Sequence, residues 1–159
     1  MAIREIREMG DEVLEKKSKP IKMMTPRTME LIEDMFDTLY ESGGVGLAAP
    51  QVGILKRIVV IDIGEGPLLL INPEIVETSG SQTGSEGCLS LPGKAGQVTR
   101  PNYVKVKALD VNMEPVEYEG TELLARAFCH ELDHLDGIMY VEHVEGELYD
   151  VSYEEDEEE

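Results

Sequence analysis

The stretch Phe128-Cys129-His130-Glu131-Leu132-Asp133-His134-Leu135-Asp136-Gly137 sets two histidines four residues apart around a glutamate. In a helix, which rises about 1.5 Å per residue, that spacing stacks His130 and His134 on one face, where both imidazoles reach a single metal ion. Glu131 is turned roughly 100° further about the axis, so it leans over an open coordination position without filling it. That is the place of a general base. Two histidines and a glutamate also occur by chance on the surface of an amphipathic helix, so the motif needs support from the rest of the chain. Its helical setting has that support: Leu123, Leu124, Ala127 and Phe128 are apolar before it, Thr121 is a candidate cap, and Gly137 is a stop.

Outward from this helix the chain carries two further helix signals near its start and then a run of strand signals. A short helix is expected over residues 11–17. A longer one starts at Thr25-Pro26, with Met29, Ile32, Met35, Phe36, Leu39 and Tyr40 recurring at three- and four-residue spacing, and ends at Gly43-Gly44. Residues 57–63 and 68–72 read as a buried hairpin about Gly64-Glu65-Gly66-Pro67, residues 73–77 as a further strand, and residues 79–85 as a Gly/Ser-rich loop. Alternating Val104, Val106 and Ala108 against Lys105 and Lys107 predict a strand with one wet face, paired through a turn at residues 112–114 with residues 115–118. Short strands are expected at residues 138–141 and 147–151. Strands with segregated helices make the fold class α+β.

At 159 residues and 42% hydrophobic content, one domain is expected. Its boundaries are set at residues 1–151, followed by an acidic tail, 152–159, expected to be disordered. A net charge of -19 repels phosphate backbones and anionic lipid, which disfavours direct nucleic-acid binding and membrane-surface binding. Charges interrupt every short apolar run after Met1, and no run reaches membrane-spanning length, so a cytoplasmic protein is expected. Two cysteines are too few for a disulfide scaffold.

A catalytic metal ordinarily takes three protein ligands, so His130 and His134 need a companion. Cys129 is turned off their axis and reads as a small buried hydrophobe. Cys88, flanked by Gly87 and Ser90, is the better candidate, although spacing alone does not establish it. Residues 44–51, GVGLAAPQ, are small and nearly uncharged; they suit either main-chain pairing with an extended ligand or a tight helix-to-strand turn.

Three segments together, GVGLAAPQ at 44–51, EGCLS at 86–90 and HELDH at 130–134, resemble the peptide deformylase family in order and separation, with Gly10-Asp11 and Leu14 adding to the likeness across residues 3–145. The resemblance implies small antiparallel sheets packed around a central helix carrying HELDH, and a metal-dependent hydrolase that removes the formyl group from N-terminal formylmethionine of new polypeptides, releasing formate. It further implies Cys88, His130 and His134 as metal ligands and Glu131 as proton carrier. Gln51 and the Leu89 N–H would face the formyl oxygen, with Gly44, Val45, Gly46 and Gly87 along the substrate's main chain. The implied cofactor is one divalent ion: Fe2+ in the cell, with Zn2+, Ni2+ or Co2+ in preparations. The implied partners are N-formylmethionyl nascent peptides, with the ribosome nearby.

Glu86 and Asp133 read equally as hydrogen-bond partners of the ligating groups or as ordinary ion-pair partners. The chain departs from many family members after the motif helix: it turns to Gly146-Glu147-Leu148-Tyr149-Asp150-Val151 and acid where they continue into a long, sometimes basic helix. Ribosome docking through such a helix is therefore not expected. Two rival readings remain, a zinc endopeptidase using Glu142 or Glu145 as third ligand, and a noncatalytic metal-binding or interaction module. His143 reads as a surface or core residue.

Overall fold

Apolar periodicity decides the first helix, α1 (Pro26–Ser42). Thr25 Oγ1 accepts the Thr28 N–H at 3.1 Å, Pro26 opens the first turn, and Gly43, with φ 77°, closes the end by donating to Leu39 O. Its buried stripe is Leu31, Ile32, Met35 and Leu39, together with the polar Thr28, Asp34 and Thr38. Tyr40 departs from the expected stripe: it is exposed, and its hydroxyl donates to Asp62 at 2.8 Å.

The computed structural model describes residues 2–151; the acidic tail, 152–159, lies outside the described residues. Strands β1 (Gly46–Ala48), β2 (Ile58–Ile61), β3 (Leu68–Ser79), β6 (Tyr103–Leu109) and β7 (Pro115–Thr121) form an antiparallel sheet in the order β1-β2-β3-β6-β7. A second antiparallel sheet has the order β4-β5-β8, from Gln82–Cys88, Leu91–Arg100 and Glu145–Asp150.

Strand β2 is fully buried, and its two-residue alternation divides the core. Ile58 and Val60 pack with the α1 stripe, while Val59 and Ile61 pack with Phe128, Leu132 and Leu135 of the second helix, α2 (Glu122–Leu135). Each such side chain contributes about 1.5–3 kcal/mol by leaving water. The motif helix is thus held on the large sheet by its apolar face, and its opposite face turns towards β4.

Several sequence expectations are corrected. Residues 11–17 form only a short 3-10 turn, Glu12–Glu15. The expected break at residues 72–73 is instead a bulge inside one strand: Asn72 adopts φ 50°, brackets Ile21 N and O with its amide, and β3 continues with a register shift between Ile71 and Glu74. The Gly/Ser-rich loop largely becomes β4, paired with β5 from Gln82↔Arg100 to Gly87↔Ala95. Thr121 occupies the cap position of α2 without a side-chain capping bond. The strand expected at 138–141 is replaced by a 3-10 turn, Tyr140–His143.

Candidate active site

Helical spacing puts His130 and His134 on the α2 face away from the apolar core contacts, with ring centroids 5.0 Å apart. The β4–β5 hairpin carries Cys88 to the same point, where its Sγ lies 3.2 Å from His134 Nε2. One ligand atom from each of Cys88, His130 and His134 lies within 4.8 Å of the others. A thiol and two imidazoles gathered in this way are a donor set for a late first-row divalent ion. Burial pushes the His134 ring down to about 3, so it stands as the neutral imidazole that ligation requires.

Cys129 sits in the apolar cluster beside Phe128 and Leu132, and burial pushes its thiol up to about 11. Glu142 and Glu145 are exposed and stand outside the cysteine–histidine group; Glu145 instead accepts from Thr99 Oγ1 at 2.5 Å. His143 is exposed, 3.2 Å from Asp133. The ligand set of the endopeptidase reading is therefore not assembled.

Glu131 is 4% exposed, and its Oε1 has no hydrogen-bond partner among the described residues. Burial raises its carboxyl to about 7 against the counter-effect of His130. A buried carboxyl poised near neutrality can take and return a proton. Gln51 lies in the 3-10 turn Ala49–Val52, 1% exposed. Its Oε1 accepts the Ala48 N–H at 2.9 Å, which leaves Nε2 to donate to Ser90 Oγ at 3.1 Å and towards Cys88 Sγ at 3.6 Å. The amide is thus oriented with its donors facing the sulfur.

One cavity of about 560 Å³ collects the remaining expected residues: Gly44, Val45, Gly46, Gly87 and Leu89 line it together with Gln51, Cys88, His130 and Glu131. Its walls come from two sheet edges, β1 and β4. Side-chain bulk is excluded at two of these glycines: a Cβ on Gly44 would come within 2.8 Å of Leu89, and one on Gly46 within 2.6 Å of Glu131. The Val45 carbonyl is already engaged by the Asp62 N–H.

Behind the site is a network that sequence reasoning left unresolved at Glu86 and did not find at Arg100 and Arg126. Glu86 is buried and accepts from His130 Nδ1 at 2.6 Å, from Arg100 at 3.1 and 2.7 Å, and from Arg126 at 2.7 Å. Burial would raise its carboxyl, but the His130 and Arg100 hydrogen bonds outweigh that and hold it well below the ordinary carboxylate range. The bond at Nδ1 turns the other ring nitrogen of His130 to the site. Asp133 is a partner of Arg100, at 2.9 Å. Ser90, also unassigned from sequence, is fully buried and donates its N–H to Cys88 Sγ at 3.4 Å. An arginine within the apolar run Leu123–Ala127 was the available signal for Arg126, since a guanidinium there needs a buried anion.

The family model for polypeptide deformylase matches residues 3–148. The chain belongs to the peptide deformylase family. It is 67% identical to the peptide deformylase of Lachnoclostridium phytofermentans over all of both chains, and 64% identical to that of Agathobacter rectalis over 99% of this chain and 100% of that one. Among solved structures, the peptide deformylase of Thermotoga maritima superposes with a TM-score of 0.88 at 41% identity, covering 91% of this chain and 99% of that one. Family membership leaves no room for a noncatalytic module as the better reading. Among the described residues, no helix is long and apolar enough to cross a membrane.

Proposed function

We propose that this peptide deformylase hydrolyses the N-formyl amide of formylmethionine on newly made polypeptides through a site built on Cys88, His130, His134, Glu131, Gln51 and Leu89. The observation that carries the assignment is the convergence of one thiol and two imidazoles within 4.8 Å, beside a buried carboxyl. Residues 1–151 act as a single catalytic domain.

Cys88, His130 and His134 would hold a divalent ion, which would supply Lewis acidity for the hydrolysis. Glu131 accepts the proton of the attacking water and later delivers it to the departing amine. As the formyl oxygen gains negative charge, the Gln51 amide and the Leu89 N–H are the donors turned to it. The main chain at Gly44, Val45, Gly46 and Gly87 receives the peptide as an added strand between the edges of β1 and β4.

Ferrous iron is the ion in the cell, and zinc, nickel or cobalt replaces it in preparations, since a thiolate–imidazole set accepts all four. Oxygen would remove Fe2+ function and would oxidise Cys88. The chain works in the cytoplasm on nascent peptides near the ribosome, without docking through a basic C-terminal helix, and does not bind nucleic acid directly. Formate release from a formyl-Met tripeptide by anaerobically purified enzyme tests the assignment, with an internal peptide bond as comparison. Cleavage of the internal bond without formate overturns it.

A further inference from the structure

Residues 2–9 form no helix or strand, and of them Ile6 packs against the α1 core, yet they make the link between α1 and both loops that carry oxyanion donors. At one end, the Ala2 N–H donates to Asp34 Oδ1 at 2.8 Å and Arg4 Nε to Asp34 Oδ2 at 2.9 Å, while the Arg4 N–H donates to Thr38 Oγ1 at 2.9 Å. Asp34 and Thr38 are polar residues on the buried face of α1, 2% and 1% exposed, so this rail of acceptors serves the segment. At the other end, the Arg7 N–H donates to Gln51 O at 2.7 Å and the Met9 N–H to Ser90 O at 2.8 Å.

We propose that residues 2–9 are a positioning strap that sets the separation between the Gln51 turn and the Cys88–Ser90 turn, with Asp34 as its anchor. Gln51 and Ser90 are joined twice. Inside the site their side chains bond directly, Nε2 to Oγ at 3.1 Å; outside it their carbonyls are spanned by two N–H groups two residues apart on the strap. With both N–H groups engaged, the two-residue span from Arg7 to Met9 ties the two carbonyls at a covalently limited separation, so the strap acts as a ruler that the side-chain bond alone cannot supply. The Met9 side chain is exposed, while the exposed Arg7 guanidinium pairs with Asp11 at 2.9 Å and lies over Gly53, so at position 9 the N–H is what the segment contributes. The strap's described contacts include none of Cys88, His130 and His134, and its effect passes through the separation of the Gln51 amide from the Cys88–Ser90 turn.

This inference rests on Gln51 and Leu89 meeting the formyl oxygen, and the test separates the two. Met9→Pro removes one strap donor at an exposed position, at the cost of fixing φ there and restricting Glu8. A displacement of roughly 1 Å at a catalytic donor costs up to about 10²-fold, so Met9→Pro is expected to lower kcat by about 10- to 100-fold, with KM and bound metal within about twofold of the parent. In a Gln51→Ala background the same substitution is expected to add less than about threefold, because the group it positions is gone. Asp34→Asn, which loosens the opposite end, is expected to show the same split, and it carries the test if Met9→Pro does not fold. Full multiplicativity with Gln51→Ala, an unchanged kcat, or a loss that follows metal content overturns the strap. A strong Gln51→Ala effect beside silent Met9→Pro and Asp34→Asn overturns the strap alone; a silent Gln51→Ala overturns the oxyanion assignment and the strap with it.

Discussion

Gly46 and Glu131 leave no room for a side chain between them: a Cβ on Gly46 would lie 2.6 Å from Glu131 Oε2 and 2.9 Å from its Cδ. Real Cβ atoms do not come so close, so one partner has to yield. The carboxyl is the end of a flexible side chain and yields cheaply, but a displaced base no longer meets the attacking water. Gly46→Ala is expected to lower kcat about 10²-fold while bound metal and the urea midpoint stay near those of the parent. A variant with normal turnover would show that Glu131 is not the proton carrier in its present position.

Glu86 is the single anion shared by His130, Arg100 and Arg126. Glu86→Gln removes that charge and leaves two buried guanidiniums with less compensation, a loss of about 3–5 kcal/mol in denaturant unfolding. The His130 ring also loses its ionised acceptor, since a glutamine offers one oxygen where the two carboxylate oxygens now take four donors, and losing such a partner typically costs 10- to 100-fold in metal affinity. Chelator competition and urea titration read the two effects separately, and unchanged metal retention would assign Glu86 to fold stability alone.

The two thiols differ in what they face. Cys88→Ala is expected to abolish metal retention after dialysis, whereas Cys129→Ala, which trims a buried side chain in the α2 cluster, is expected to retain the ion and lose only about 1 kcal/mol of stability. Metal analysis of both purified variants checks this. The reverse pattern would move the third ligand to Cys129.

Asp34 titrates below the ordinary carboxylate value of 3.8, because the Arg4 and Ala2 hydrogen bonds outweigh the opposing effect of burial. A carboxyl whose folded value is depressed adds stability above its unfolded value and loses it as pH falls through the folded one. The parent is therefore expected to be more stable than Asp34→Asn at pH 7, with the gap closing on acidification from about pH 5 downward. Urea midpoints of both proteins across that range test the sign, and a gap that widens with acid would contradict it.

The regular, local features were legible from composition and periodicity. α1 follows from a capped apolar stripe, β2–β3 from two apolar runs about Gly64–Pro67, β6–β7 from alternation beside turn residues, and the HELDH helix from the run that precedes it. β4 was missed because glycine and serine carry little strand preference; its order comes from hairpin pairing with β5, itself a glycine-bearing strand without a clear apolar alternation. β3 ran through Pro73 because Asn72 tolerates a positive φ and its amide ties the bulge to Ile21.

By itself, the sequence determined the chemistry available: a helical His-Glu pair of ligands and base, a second thiol-bearing segment, a glycine-rich edge with Gln51, and through their order the family. Only the tertiary structure decided how those groups are held. Cys88 reaches His134 because a nonlocal hairpin carries it there, and Glu86 becomes the partner of His130 because two distant arginines make a buried anion stable. Residues 2–9 matter because their N–H groups meet carbonyls on two separate loops. Local pattern encodes which residues can react; burial and long-range hydrogen bonding, which no stretch of sequence displays, set their separation and protonation.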